Sequence, residues 1–153
     1  MDRIHLTLHF LGQLPVARID AVKAALAPLA AGRPRFALEA QGVGAFPNFS
    51  RAQVIWAGIA GADLPLLMSL QAETAKVLTA AGVETEDRFH PHLTLARVRR
   101  PMRGALRHAL KAWQERWTDV GFGTLPVERV ILFRSELGAG PPRYSTIASF
   151  ELQ

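Results

Sequence analysis

The sequence has no cysteine among its 153 residues. Disulfide bonds and thiolate-bound metal centres are therefore excluded, because both require cysteine sulfur. It also has no apolar run near the roughly 20 residues of a membrane-spanning helix. Its start, MDRIHLTLHF, lacks the basic and apolar regions of a signal peptide. These absences predict a cytoplasmic protein without a membrane segment, and the length suits one domain over residues 1–153.

Lysine is also scarce: 15 of the 18 basic residues are arginine, three are lysine, and 13 residues are acidic. Arginine forms bidentate hydrogen bonds to phosphate and stacks on bases, so this excess fits a nucleic-acid or nucleotide substrate. A coding bias toward alanine and arginine explains the same composition equally well. The charge balance alone therefore does not assign a function.

The tetrapeptide HLTL occurs twice, at 5–8 and at 92–95. Each copy lies where apolar and polar residues alternate, which predicts a half-buried strand with His and Thr on its open face. A helical pattern follows each copy, and Pro and Gly mark most of the boundaries. The predicted strands are 4–10, 36–41, 52–59, the second HLTL segment, 127–136 and 144–152, and the predicted helices are 15–32, 63–82 and 104–117.

The order of elements repeats together with the tetrapeptide, which indicates an internal duplication. The two motif units cover about 4–60 and 89–136. The sequence therefore predicts an α+β fold, bilobed with pseudo-two-fold symmetry, in which two mainly antiparallel sheets flank a central cleft and the helices lie outside. Each lobe would offer one His-x-Thr pair to the cleft.

The two His-x-Thr pairs suit displacement at a phosphate diester. Positions i and i+2 of a strand share a face, so His5 lies beside Thr7 and His92 beside Thr94. Histidine titrates near neutrality, and two imidazoles can supply a general base and a general acid. The hydroxyls can hold the non-bridging oxygens. A strained 2',3'-cyclic phosphate needs no metal for this reaction, so no cofactor is predicted.

Several alternatives stay open at this level. The duplication alone could account for both motifs, although it explains the core leucines better than the polar His and Thr. A metal site could use His5, His90 and His92, but no carboxylate lies on the predicted face. His90 is more simply a turn residue before Pro91.

Two further residues are candidates for substrate binding. Arg97 ends the second motif's strand and begins a basic run, along which flanking phosphates could lie. Phe46, in the loop GVGAFPNFS, could stack on a base or ribose. The structural alternative for the basic run is a solvent-exposed helix face. The structural alternative for Phe46 is that its ring fills space in the local core.

The sequence resembles the two-histidine phosphoesterases and, more narrowly, the RNA 2',3'-cyclic phosphodiesterases, also called the 2'-5' RNA ligase family. The likeness covers nearly the whole chain. It is carried by HLTLHFLG at 5–12, GVGAFP at 42–47, RAQVIWAGI at 51–59, FHPHLTLARVRR at 89–100 and ILFRSELGAGPPRYSTIASFEL at 131–152.

The resemblance implies metal-independent opening of an RNA 2',3'-cyclic phosphate to a 2'-phosphomonoester, on RNA ends such as those of tRNA fragments. His5 would donate a proton to the leaving 3' oxygen, and His92 would accept one from water. Thr7 and Thr94 would hold the phosphate oxygens. Some members also join RNA ends by a 2'-5' linkage. Other possible functions are an RNA-binding module without turnover, and a phosphodiesterase acting on small cyclic nucleotides or 2'-5' oligonucleotides.

The start of the sequence departs from the family's pattern. Family members usually have a strand and a helix before the first motif, and this sequence has no equivalent before His5. The resemblance therefore predicts an exposed sheet edge or apolar patch near the first motif, which favours pairing with another chain in a homo-oligomer.

Overall fold

A computed structural model describes residues 4–86, 88–99, 104–136 and 142–153. The chain divides into two compact units. The first contains 1–7, 37–64 and 90–125, and the second contains 8–36, 65–89 and 126–153. The units therefore interleave along the chain, which differs from the division into motif segments at 4–60 and 89–136. The central cleft and the single domain stay predictions.

The first unit is built on a four-stranded sheet, within the described residues. Its strands are β1 (Phe36–Phe46), β2 (Val54–Ala60), β3 (His92–Arg97) and β4 (Gly121–Val127). They lie in the order β3-β2-β1-β4, and both β1 and β3 pair antiparallel with β2. A helix, α3 (Ala105–Trp117), also belongs to this unit.

One face of this sheet carries the apolar core of the first unit. Ala40, Ala57 and Leu93 are buried there, and Leu6, Ile59 and Leu125 pack against them. Because side chains alternate along a strand, the residues between these core positions lie on the opposite face. That opposite face carries the polar half of the second HLTL motif.

The second unit combines two helices with an antiparallel strand pair. The helices are α1 (Ile19–Ala31) and α2 (Leu64–Ala80), and the strands are β5 (Arg129–Glu136) and β6 (Arg143–Glu151). Leu26 and Leu78, one from each helix, pack with Leu132 of β5. The α+β class with two antiparallel sheets is thus confirmed.

Three sequence predictions were wrong in detail. The chain from 4 to 10 is not a regular strand, because its described pairing is an isolated bridge at Leu6 and the backbone bends at Leu8. Strand β1 continues to Phe46, through residues predicted as a loop. Strand β4 was missed, since its Gly and Pro residues suggested an irregular segment. None of the helices in the described ranges has the length and apolarity that a bilayer crossing requires.

Candidate active site

The two HLTL motifs meet through their first leucines. Leu6 forms an antiparallel bridge with Leu93, and both side chains pack in the same core. In this register the neighbours of the two leucines face each other: His5 lies opposite Thr94, and Thr7 lies opposite His92. All four of these polar residues are half-buried. The pairing therefore assembles both His-x-Thr sets on the sheet face opposite the core.

A β-bulge in β3 brings Arg97 to the same face. Thr94 pairs with Trp56, and Ala96 pairs with Ile55, the residue before Trp56 in β2, so Leu95 is the extra residue. Leu95 is correspondingly 43% exposed. A bulge reverses the alternation of side chains, so Arg97 lies on the same face as Thr94 although three residues separate them. Without the bulge, Arg97 would lie on the core face.

A second bulge shapes the neighbouring strand β1. The register shifts between Gln41 and Val43, and the intervening Gly42 has a φ of 67°. Only glycine adopts this left-handed conformation at no steric cost. After the bulge, Gly44 pairs with Trp56, and Phe46 pairs with Val54, which also pairs with Arg97. Phe46 and Arg97 therefore stand in one cross-strand row on the site face.

Four aromatic rings cluster on this face, beside the second motif. The ring centre of Phe46 lies 5.0 Å from that of His92 and 5.2 Å from that of Trp56. The Trp56 ring lies 4.9 Å from the His90 ring. A Cβ atom on Gly44 would overlap the indole, so this glycine makes room for Trp56 to lie against β1. The cluster gives the imidazole of His92 an aromatic wall.

The tautomer of His92 is set by one main-chain hydrogen bond. Its Nδ1 atom lies 2.7 Å from the carbonyl oxygen of His90. A carbonyl oxygen can only accept, so Nδ1–H is the donor and, in the neutral imidazole, Nε2 keeps its lone pair. Because Pro91 follows, the backbone of His90 is restricted to extended conformations. His92 is thus oriented to accept a proton through Nε2.

The electrostatics of this face are neutral to positive. The described cross-strand rows through His92, Thr94 and Arg97 contain no carboxylate. Among the residues that the structure describes, no group of three or more His, Cys, Asp or Glu side chains is arranged to hold a metal ion. Two imidazoles, two hydroxyls and a guanidinium can together transfer protons and bind an anionic phosphodiester.

A family model described as the 2'-5' RNA ligase superfamily matches residues 2–139. The chain belongs to this superfamily. It is 32% identical, over 148 residues, to an Aeropyrum pernix protein named RNA 2',3'-cyclic phosphodiesterase, covering 95% of this chain and 80% of that protein. It is 29% identical, over 154 residues, to an Aquifex aeolicus protein of the same name, covering 99% and 79%.

Solved structures of other proteins share the fold. A Thermus thermophilus protein matches with a TM-score of 0.72 and 31% identity, over 97% of this chain and 78% of that one. LigT of E. coli in its apo form matches with a TM-score of 0.70 and 24% identity, over 99% and 77%. The second likeness supports the fold alone.

The structure places each residue that the sequence singled out. His5, Thr7, His92, Thr94, Arg97 and Phe46 all lie in the first unit, on or beside one sheet face.

Sequence reasoning missed Trp56, although its alternation with Ala57 in VIWAGI could have placed it opposite the core. It also dismissed His90, whose ring lies 6.3 Å from that of His92. The remaining basic run is partly outside the described residues, which do not include Arg100 and Arg103.

Proposed function

We infer that this protein is an RNA 2',3'-cyclic phosphodiesterase, which opens the cyclic ester to a 2'-phosphomonoester by paired histidine catalysis. The observation that carries the inference is the Leu6–Leu93 bridge, because it sets two His-x-Thr pairs opposite each other. The names of the superfamily relatives support the same reaction. RNA ends are the substrates that those names imply.

In the proposed mechanism, His92 acts as the general base. Nε2 of His92 takes a proton from water as the water oxygen attacks phosphorus. The hydrogen bond from Nδ1 to the His90 carbonyl supports this role, since it leaves Nε2 free to accept and stabilises the imidazolium that forms. The bond between phosphorus and the 3' oxygen then breaks.

His5 acts as the general acid in the same step. It donates a proton to the leaving 3' oxygen, which becomes the 3'-hydroxyl, while the phosphate stays on the 2' oxygen. The protons balance, because His92 takes one proton from water and His5 gives one proton to the 3' oxygen. Exchange with solvent then returns His92 to its neutral form and His5 to its protonated form. If an RNA hydroxyl replaces water, the same steps produce a 2'-5' linkage.

The neighbouring residues bind the substrate. Thr7 and Thr94 donate hydrogen bonds to the non-bridging oxygens, where negative charge increases in the transition state. Arg97 binds phosphate, and its position on the same face as Thr94 supports this. Phe46 offers a ring to the terminal nucleoside beside His92.

The deciding experiment uses a short RNA that ends in a 2',3'-cyclic phosphate. The purified protein is incubated with it in the presence of a chelator, and the product end is identified by chromatography against authentic 2'-phosphate and 3'-phosphate standards. A 2'-phosphate formed by the wild type, and lost in His92→Ala, is the expected result. Binding without turnover would instead identify an RNA-binding module, and turnover restored only by added metal would overturn the metal-free mechanism.

We also propose that a second copy of the chain covers the first motif's apolar neighbours. Ile4 and Phe10 are 58% and 64% exposed, although the alternation of the sequence marks both as core residues. Sedimentation velocity across a concentration series tests this. A monomer at all concentrations, unchanged in Phe10→Ser, would overturn it. The cytoplasmic location predicted from the sequence stays a prediction.

A further inference from the structure

We propose that the His90 side chain is a substrate-binding residue, which stacks on the nucleobase of the nucleotide that carries the cyclic phosphate. The proposal rests on the function proposed above, because it names the part of the RNA end that lies next to the catalytic histidines. It gives His90 a role separate from that of its main chain, whose carbonyl orients His92.

The position of the ring is the first argument. The imidazole of His90 lies 6.3 Å from that of His92, and the two planes differ by 38°. A phosphate held at His92 is part of the same nucleotide as the base beside it. A ring that stands next to His92 is therefore placed to meet that base.

The surroundings of the ring are the second argument. His90 packs against Trp56 at 4.9 Å and against Phe46 at 5.4 Å, with interplanar angles of 61° and 80°. The planes of both neighbouring rings are steeply inclined to the imidazole, and the residue as a whole stays exposed. A ring held against two neighbouring rings and still exposed to solvent loses little entropy when a base stacks on it.

A purely structural role fits these observations less well. A residue that only fills the core would be buried, whereas His90 is exposed. Trp56 beside it is half-buried, and its Nε1 atom is inaccessible to solvent. The described side-chain contacts of His90 are with aromatic rings. Unpaired RNA bases bind to proteins by stacking on aromatic side chains, so a base would fit these surroundings.

The test combines a substitution in the protein with a deletion in the substrate. His90→Ala and the wild type are each assayed on two RNAs, one ending in an ordinary nucleoside 2',3'-cyclic phosphate and one ending in the abasic ribose 2',3'-cyclic phosphate. His108→Ala, which alters an exposed histidine on α3, is the matched control. His90→Phe and His90→Lys distinguish stacking from charge.

We expect His90→Ala to raise KM for the ordinary RNA about tenfold and to leave kcat within about twofold, since one stacked base contributes on this scale. On the abasic RNA, His90→Ala and the wild type should have equal KM values. His90→Phe should restore KM and His90→Lys should not. A loss that is equally large on the abasic RNA, or restoration by Lys alone, would overturn the proposal in favour of a phosphate contact.

The two proposals fail in different ways. If the wild type turns over neither RNA, the proposed function fails. The stacking proposal is then tested by equilibrium binding, which compares the effect of His90→Ala on the affinity for the ordinary RNA with its effect on the affinity for the abasic RNA. If the wild type turns over both RNAs and His90→Ala matches it throughout, the stacking proposal alone fails. An unchanged melting temperature in His90→Ala separates binding from folding.

Discussion

The two HLTL segments have the same four residues but different local structures. The second is part of β3 and pairs along its length with β2. In the described residues, the first has a single bridge, at Leu6. Leu93 is 8% exposed, whereas Leu6 is only partly buried. The comparison shows that the neighbouring strand, more than the tetrapeptide itself, determines how much regular structure forms.

The residues around the two motifs differ in type as well. His92 has its tautomer set by a main-chain carbonyl two residues earlier. The residue 87 positions before Arg97 is Phe10, so the first segment has an aromatic residue where the second has a cation. The two segments thus share the histidine and threonine positions, while the residues that flank them differ.

The largest expected effect comes from removing either histidine. His5→Ala and His92→Ala should each lower kcat by about 10² to 10⁴, because each removes one proton-transfer group. Both side chains lie off the core, so circular dichroism should be unchanged. The double variant should be little worse than either single variant. Near-normal kcat in one of them would show that the two segments are not an acid–base pair.

The leucines test the structural half of the comparison. Leu93→Ala should lower the free energy of unfolding by about 2–5 kcal/mol, since it leaves a cavity in the core of the first unit. Leu6→Ala should cost less than half as much. Leu95→Ala, at the exposed bulge of the same strand, is the control. Urea denaturation measures all three, and equal losses for Leu6 and Leu93 would mean that both segments are packed alike.

The threonines should have smaller effects, on activity alone. Thr94→Val and Thr7→Val keep the shape of the side chain and remove the hydroxyl donor. Each should lower kcat by up to about 10²-fold if the hydroxyl bonds the developing negative charge. Single-turnover rates at saturating RNA measure this. A change in KM with kcat intact would instead assign the hydroxyl to ground-state binding.

Arg97 should have the smallest effect. Arg97→Ala should raise KM several-fold and reduce the slope of log affinity against log salt by about 0.7, as for one lost phosphate contact on a single strand. Arg99→Ala, an exposed arginine two residues further along, should leave both values unchanged. If the two variants behave alike, the bulge does not give Arg97 a special position.

The helices and the two motifs were predictable because local signals mark them. Gly32 and Gly82 follow the ends of α1 and α2, and the paired HLTL segments identified the catalytic candidates. The two bulges were not predictable, because each is set by pairing with β2. Strict alternation along each strand would place both Arg97 and Phe46 on the core face, with Leu93 and Ala40. The edge contacts of Phe46 with His90 and His92 depend on the bulge in β1, which turns Phe46 to the site face.

The interleaving of the two units constrains how this protein can be divided. Three segments of each unit alternate along the chain, so it passes between them five times. No single cut releases either unit as a continuous polypeptide. Neither unit could therefore be expressed or exchanged as one uninterrupted stretch of the chain.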